Sequence, residues 1–451
     1  MTPFDLRDLR GAMEGIAAST LCTCDADGMP NASMISQVHW VDEGHVALSY
    51  QFFNKTRANL LATRKASVLI FDPRTLAQHR LDLDYVETRT AGPLFETMKA
   101  KLAGIASHHG LEKVFRLLGA DIFKVAHVEQ VMAPTARPGC RGVSLLSAVR
   151  NCVDELSRCR DFDDLADAAL DGMVAHLDVS NAILLLAECD GRLFALGSRG
   201  YAVSGIGAEI LPGEGVIGVA AREGVPIRIG HFNADYRYGA ALGAAAQKAG
   251  LLAETPAGVP FPGLGTPHSQ IAVPVMAEGR TLGVLFAESD EVLRFDHEFE
   301  DALTLVASHL GVMMALLRED DAQETPIAAL PEIVGSGGVT VRHYPRDDSV
   351  FLDHDYLIKG VAGAILWRLL REHAATGRTD FTTRELRLDR SLKMPDHAEN
   401  LDARLVLLRR RLEERGACLQ IEKTGRGLFR LVSRCRITLE DAGESDAIEV
   451  A

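Results

Sequence analysis

The stretch LRRRLEERGACLQIEKTGRGLFRLV, Leu408 to Val432, sets Arg409, Arg410, Arg411, Arg415, Lys423, Arg426 and Arg430 among hydrophobic residues. Cations at that density either meet a polyanion such as nucleic acid or form the solvated faces of a helix and a hairpin. Their setting bears on the choice. From Gly335 to Arg436, Lys and Arg number 20 against 14 Asp and Glu, a local charge of +6; the whole chain carries −14, which leaves −14 − 6 = −20 for the remainder. A locally basic module on an acidic body is the electrostatic footprint of a nucleic-acid contact. Cys140, Cys152 and Cys159 cluster loosely, but their gaps match neither a zinc ribbon nor a ferredoxin run, so no metal site is expected. No Ser/His/Asp set, P-loop or kinase signature occurs, and no catalytic residue is assigned.

The elements that position these residues follow from length and pattern. At 451 residues the chain suits about three domains at roughly 150 residues each. Apolar content of 47% and charged content of 24% are those of a globular protein. The opening MTPFDLRDLRGAMEG has acids and arginines where a secretory signal needs an apolar run, and no uncharged stretch approaches the roughly 18 residues of a membrane span. A cytoplasmic protein without membrane contact is expected, with most of its eight scattered cysteines reduced and buried. Breaks at MAPTARPGCRG and REDDAQETPIAALPE divide the chain into segments 1–131, 143–317 and 335–440. The expected fold class is multidomain: an antiparallel split β-barrel, then an α+β sensor domain, then a winged helix.

In the first segment, turns at DADG and VDEG separate runs rich in Val, Ile, Ser and aromatics, the pattern of antiparallel hairpins. Lys55 to Lys65 has helical spacing, AGPLFETMKAKLAGIASHHG forms a further helix and DIFKVAHVEQV a strand. The order DADGMPNASMIS, VALSYQFFNKTRANL, ASVLIFD resembles the pyridoxamine-phosphate-oxidase-like split barrels, many of which bind FMN. That resemblance implies that Lys55, Thr56, Arg57 and Asn59 hold the phosphate, and that Ser33 to Gln37 and Tyr50 line the flavin edge. A cation and a hydroxyl at a helix start suit a dianion; equally, Lys55 and Arg57 are ordinary helix-surface charges. The resemblance also departs from flavin oxidases, since Ser33 to Val38 contains no basic residue. His39, beside Trp40, reads as a packed strand residue ahead of a haem ligand.

The second segment runs from helices SLLSAVRNCVDELSRC and FDDLADAALDGMVAHL through strands NAILLLAEC, LFALGSRG, SQIAVPVMAEG and RTLGVLFAES to a last helix, with LPGEGVIGVAAREGVPIRIG taken as a loop. Helices flanking an antiparallel sheet make it α+β. SQIAVPV followed by GRTLGVLFAESDEVLRFDHEFEDALTLVASHLG resembles a GAF sensor domain. By that resemblance residues 231–268 form a lid, and Tyr236, Arg237, Tyr238 and His268 line a pocket for an unknown small-molecule effector. Leu145, Leu146, Val149, Cys152, Val153 and Leu156 recur at helical spacing; such a helix beside a sensor domain pairs with its counterpart in a homodimer.

In the third segment, GVAGAILWRLLREHAATG, DFTTRELRLD and NLDARLVLLRRRLEERG read as helices. The last has Leu401, Leu405, Leu408 and Leu412 as its buried stripe, and CLQIEKTGRGLFRLV reads as a hairpin. Thr382 or Thr383 caps the second helix with Glu385 near its third position, and Gly416 ends the third. The order resembles the DNA-binding domain of OmpR-type response regulators. The resemblance implies that Asn400, Ala403, Arg404 and Arg411 face a DNA groove and that Lys423, Arg426 and Arg430 lie on or near the wing. Val406 and Leu407 cannot hydrogen-bond base edges, so they touch thymine methyls or pack against a partner. The expected function is a one-component transcriptional regulator that senses a flavin, redox state or small ligand and binds DNA; the alternative is an FMN-dependent oxidoreductase with regulatory attachments.

Overall fold

The computed structural model describes residues 5–13, 19–35, 38–50, 55–72, 75–108, 117–135, 144–230, 259–265, 267–319, 325–326, 338–389, 392, 401–442 and 447–449. After a short 3₁₀ helix, Leu6–Ala12, the first domain comprises β1 (Ser19–Cys24), β2 (Pro30–Ile35), β3 (Val38–Trp40), β4 (His45–Tyr50), α1 (Lys55–Thr63), β5 (Lys65–Phe71), β6 (Gln78–Arg89), α2 (Pro93–His108) and β7 (Gly119–Met132). The seven strands form one antiparallel sheet in the order β2-β1-β5-β6-β7-β4-β3. Alternation decides its faces: Val68, Ile70, Leu81, Leu83 and Phe123 point to one core with Leu6 and Leu9, while Ala47, Ala120 and Ile122 meet Phe95, Met98 and Leu102 of α2.

The second domain contains α3 (Leu145–Leu156), α4 (Phe162–Ala175), β8 (Asn181–Ala187), β9 (Leu193–Arg199), β10 (Glu209–Ile210), α5 (Gly215–Glu223), β11 (Ile227–Ile229), β12 (Ser269–Ala277), β13 (Arg280–Ser289) and α6 (His297–Glu319). Its sheet runs β10-β9-β8-β13-β12-β11, antiparallel throughout. Helices α3, α4 and α6 cover one face and α5 the other. The loop expected over 211–230 therefore holds a helix and a strand. Gly218 permits it, because a Cβ there would stand 2.3 Å from the Leu211 carbonyl oxygen. Asp161 caps α4 by accepting from the backbone N–H groups of Asp163 (3.1 Å) and Asp164 (2.9 Å). Residues His297–Leu317 of helix α6 are long and apolar enough to cross a membrane; here Phe299, Leu303, Val306 and Leu310 bury the helix's inner face in the core, while Leu305, Val312 and Leu316 are exposed. α2 of the first domain packs on α5.

The C-terminal unit follows a two-residue strand, β14 (Thr325–Pro326). It comprises β15 (Gly338–Tyr344), β16 (Ser349–Leu352), β17 (Asp355–Ile358), α7 (Gly360–Thr376), β18 (Asp380–Thr382), α8 (Thr383–Leu388), α9 (Leu401–Glu414), β19 (Leu419–Arg426), β20 (Leu428–Ser433), β21 (Arg436–Asp441) and β22 (Ala447–Glu449). One sheet is β14-β19-β20-β18 and the other β17-β16-β15-β21-β22, with β15 and β21 parallel. The expected second helix is thus shared between a strand and a shorter helix, and the capping box forms at Thr382 and Glu385. Gly416, φ 56°, follows α9 in the left-handed region.

The cysteine expectation needs correction. Cys418 and Cys435 are joined by a disulfide, and among the free cysteines described only Cys152 is buried, its thiol pushed up to about 11 by desolvation. The bridge spans 17 residues and ties the base of the β19–β20 hairpin, where the Arg434 N–H donates to the Cys418 carbonyl at 2.8 Å. Opening a loop of that length costs about 3 kcal/mol in the chain-entropy picture. Dithiothreitol, or Cys418→Ser, is therefore expected to lower the melting temperature of the C-terminal unit by several degrees in calorimetry. An unchanged transition would show that the bridge holds nothing together.

Candidate functional site

Helix α9 is the element around which the chain's cations are organised. Its stripe Leu401, Leu408 and Leu412 is buried as the 3.6-residue period requires, but Ala403, Val406 and Leu407 on other sides are buried as well. A helix covered nearly all round has a neighbour on its outer face, and here the neighbour is the second domain, chiefly α4 and β9. One apolar cluster runs from Phe162, Leu165 and Leu170 to Val406, Leu407 and Leu408. The junction is not solid: a cavity of about 90 Å³ lies among Phe162, Leu317, Val406, Ile421, Leu428 and Phe429.

Ion pairs surround this contact. Arg404, 4% exposed, lies 4.3 Å over the Phe194 ring and donates to Glu188 at 2.6 Å. Arg409 pairs with Asp163; Arg410 reaches Asp163 at 2.6 Å, Asp167 at 3.0 Å and the Leu196 carbonyl at 3.2 Å. Lys423 on the hairpin reaches Asp161 at 2.9 Å. Burial pushes the Arg410 guanidinium below its usual range, against the attraction of Asp167. Burial also raises Asp161, but the Asp164 N–H and the Lys423 ammonium outweigh it and hold that carboxyl low.

The sequence assignments divide accordingly. Arg404 and Lys423 face carboxylates of another domain, and Ala403 is buried against it. Arg411 is not groove-facing: it is 3% exposed, donating to the Leu357 carbonyl at 3.0 Å and Glu414 at 2.5 Å within its own unit. The reason is rotation, since successive helix residues turn by about 100° and an Arg-Arg-Arg run cannot share one face. Arg430 pairs with Asp380, also within the unit, at 2.8 Å. Asn400 and the side chain of Arg426 lie outside the described residues. Arg409 and Arg410, with no assigned role in the sequence reading, are central to the contact. The apolar Val406–Leu407 pair was the signal that could have pointed to it.

In the first domain, β2 and the start of α1 bring polar groups together. The Thr56 hydroxyl donates to Ser33 Oγ at 3.1 Å and accepts from Asn31 Nδ2 at 2.8 Å. Lys55 extends nearby, half-exposed, with Nζ 4.0 Å from Asp25. Asn59 is buried and donates to Thr23 Oγ1 at 3.3 Å, so it supports the sheet. Arg57 departs from its expected role: it pairs with buried Asp121, donates to Thr88 at 2.9 Å and lies 4.1 Å over the Tyr50 ring, which makes Tyr50 its platform. His39 is buried in β3 as expected. Gln37 lies outside the described residues.

In the second domain Tyr236, Arg237 and Tyr238 likewise lie outside them. His268 turns to the backbone, its ring nitrogen on the Asp290 carbonyl. Beside it Glu288, 2% exposed, accepts from the Leu264 N–H (2.7 Å) and Gln270 Nε2 (3.0 Å); burial raises its carboxyl despite these donors.

Residues 8–134 match the family model described as pyridoxamine 5'-phosphate oxidase, and residues 159–315 match the GAF domain model. The chain carries a pyridoxamine-phosphate-oxidase-like domain followed by a GAF domain. Solved structures with local likeness include an FMN-binding protein from Syntrophomonas wolfei, 22% identical, covering 28% of this chain and 83% of that one with a TM-score of 0.24. Another is the GAF domain of an Acinetobacter phosphoenolpyruvate-protein phosphotransferase, 18% identical over 39% of this chain and 95% of that one, TM-score 0.31. A third is the free methionine-R-sulfoxide reductase of Neisseria meningitidis, 20% identical over 39% and 90%, TM-score 0.30. No curated protein matches the chain.

Proposed function

We propose that the chain is a sensor protein whose C-terminal unit is a winged helix for DNA, held in a closed arrangement by the GAF domain. One observation carries this reading: Arg404, Arg409, Arg410 and Lys423 all pair with carboxylates of the GAF domain, while within their own unit Arg409 also meets Glu413, more distantly, at 3.6 Å. Separation of the two domains leaves four cations along one helix and hairpin, a surface suited to phosphates. Arg411 and Arg430, paired inside the unit, stay where they are. The acidic GAF face and DNA compete for the same side chains, so an effector that favours either arrangement controls output. Four phosphate contacts give a slope of about −3.6 for log affinity against log salt. Fluorescence anisotropy on a mixed-sequence duplex measures it; a slope near zero removes the DNA reading.

FMN is the cofactor we assign to the first domain, supported by the family-model match and by the hydroxyl, amide and ammonium groups at Asn31, Ser33, Thr56 and Lys55, which suit a phosphate. Bound FMN supplies reversible redox chemistry. Arg57, committed to Asp121, is excluded from that set. Lys55→Ala with Thr56→Ala is expected to yield colourless protein; full retention of flavin would place the phosphate elsewhere. The regulatory reading is preferred to an oxidoreductase because the hydroxyl, amide and ammonium groups around Thr56 are ones that bind and orient a phosphate.

A further inference from the structure

At the end of the GAF sheet remote from His268, the β8–β9 turn, the β12–β13 turn and the last residues of α5 approach α9 around a cleft of about 530 Å³. That volume lies within the roughly 300–1,000 Å³ of small-molecule sites. Leu186, Phe194, Leu282 and Met314 supply apolar wall. Five charged side chains line the cleft, Arg222, Arg280 and Arg404 against Glu188 and Asp190. Both acids are already answered: Asp190 takes Arg192 at 2.6 Å, and Glu188 takes Arg404 at 2.6 Å and Arg192 at 3.2 Å. Arg222 has only its sequence neighbour Glu223, at 2.9 Å, and exposed Arg280 has no carboxylate partner among the described residues. Arg404 and Arg222 each hold one carboxylate, which leaves the Arg280 guanidinium as the uncompensated charge on the cleft wall among the described residues. Arg404, nearly buried over Phe194, gives the cleft a rigid charged wall.

We infer that this cleft binds an organic anion: a phosphate monoester or a carboxylate on an aromatic or apolar body, its charge toward Arg280, Arg222 and Arg404 and its body against Phe194. Two of these cations belong to the GAF domain and one to α9, so the complete site exists only while the domains are docked. The ligand binds the closed arrangement and stabilises it by mass action. Nothing in the inference depends on DNA, so its failure and that of the DNA reading are separate results.

The test uses the full chain and three matched fluorescent probes: 1-naphthyl phosphate, 1-naphthoate and 1-naphthol. One of the two anions is expected to bind saturably at one site, and the better one identifies the headgroup. The neutral naphthol should bind about tenfold more weakly or worse, the loss of one charge-assisted contact. Arg280→Ala, an exposed position where folding is not at risk, should weaken the anion by about tenfold. Arg404→Gln should do the same if α9 forms a wall. Absent saturation, equal binding of naphthol, or wild-type affinity in Arg280→Ala overturns the anion site; wild-type affinity in Arg404→Gln overturns the two-domain construction.

Discussion

The doubly charge-reversed chain, Asp163→Lys with Glu188→Lys, is expected to bind duplex DNA at least about a hundredfold more tightly than the wild type at about 0.1 M salt. Asp163 serves both Arg409 and Arg410, and Glu188 serves Arg404. Their carboxylate side chains are 21% and 19% exposed, so water screens these pairs only in part. Removing one partner of a buried pair costs about 3–5 kcal/mol, and reversal adds repulsion. Even after a generous discount for partial exposure, the three broken pairs exceed the ~2.7 kcal/mol that a hundredfold change requires. The apolar contact through Val406 and Leu407 opposes opening, but the void beside Val406 means that its dispersion energy is below that of a filled core. Anisotropy with the same duplex reads the change. A folded variant with wild-type affinity would show that the GAF domain does not restrain these cations.

In the first domain the largest effect is expected from Arg57→Ala. It leaves the carboxylate of Asp121, a residue 5% exposed, without its guanidinium and removes the stack on Tyr50. An uncompensated buried charge costs about 3–5 kcal/mol, which lowers the melting temperature of a domain this size by about 10 °C or more. Lys55→Ala, whose side chain is 52% exposed, should leave the transition in place. Scanning calorimetry of the two variants separates a structural arginine from a phosphate-binding lysine. Equal, small shifts would mean that Arg57 is free for a ligand after all.

Much of the architecture was legible in the residues because local rules and tertiary structure agree there. The Leu401–Leu408–Leu412 spacing, the Thr382–Glu385 box and the glycine after α9 each have one mechanical meaning, and the structure gives it to them; Leu405, expected in the same buried stripe, is only half-buried, on the wall of the cavity beside Val406. The region 211–230 was misread because glycines at 213, 215 and 218 mimic a loop; two supply positive φ at the turn before α5, and the third allows a backbone to pass close by. The direction of the arginines was only half legible. Helical rotation already forbids Arg409, Arg410 and Arg411 from sharing a face. Which of them meets a neighbouring domain depends on the docking of α9 against α4, a relation between segments more than 200 residues apart in the chain that no local pattern encodes. The internal bond from Arg57 to Asp121 is of the same kind, joining α1 to a strand 64 residues later.

The central claim is that the cationic face of α9 serves either the GAF domain or DNA, never both at once. Its most direct test is the distance between spin labels at Leu146→Cys on α3 and Leu388→Cys at the end of α8, both highly exposed positions, with Cys22, Cys24, Cys140, Cys159 and Cys189 replaced by serine. Pulsed electron resonance should give one narrow distance in the free protein and a longer, broader one with saturating duplex. A distance unchanged by bound DNA would contradict the account.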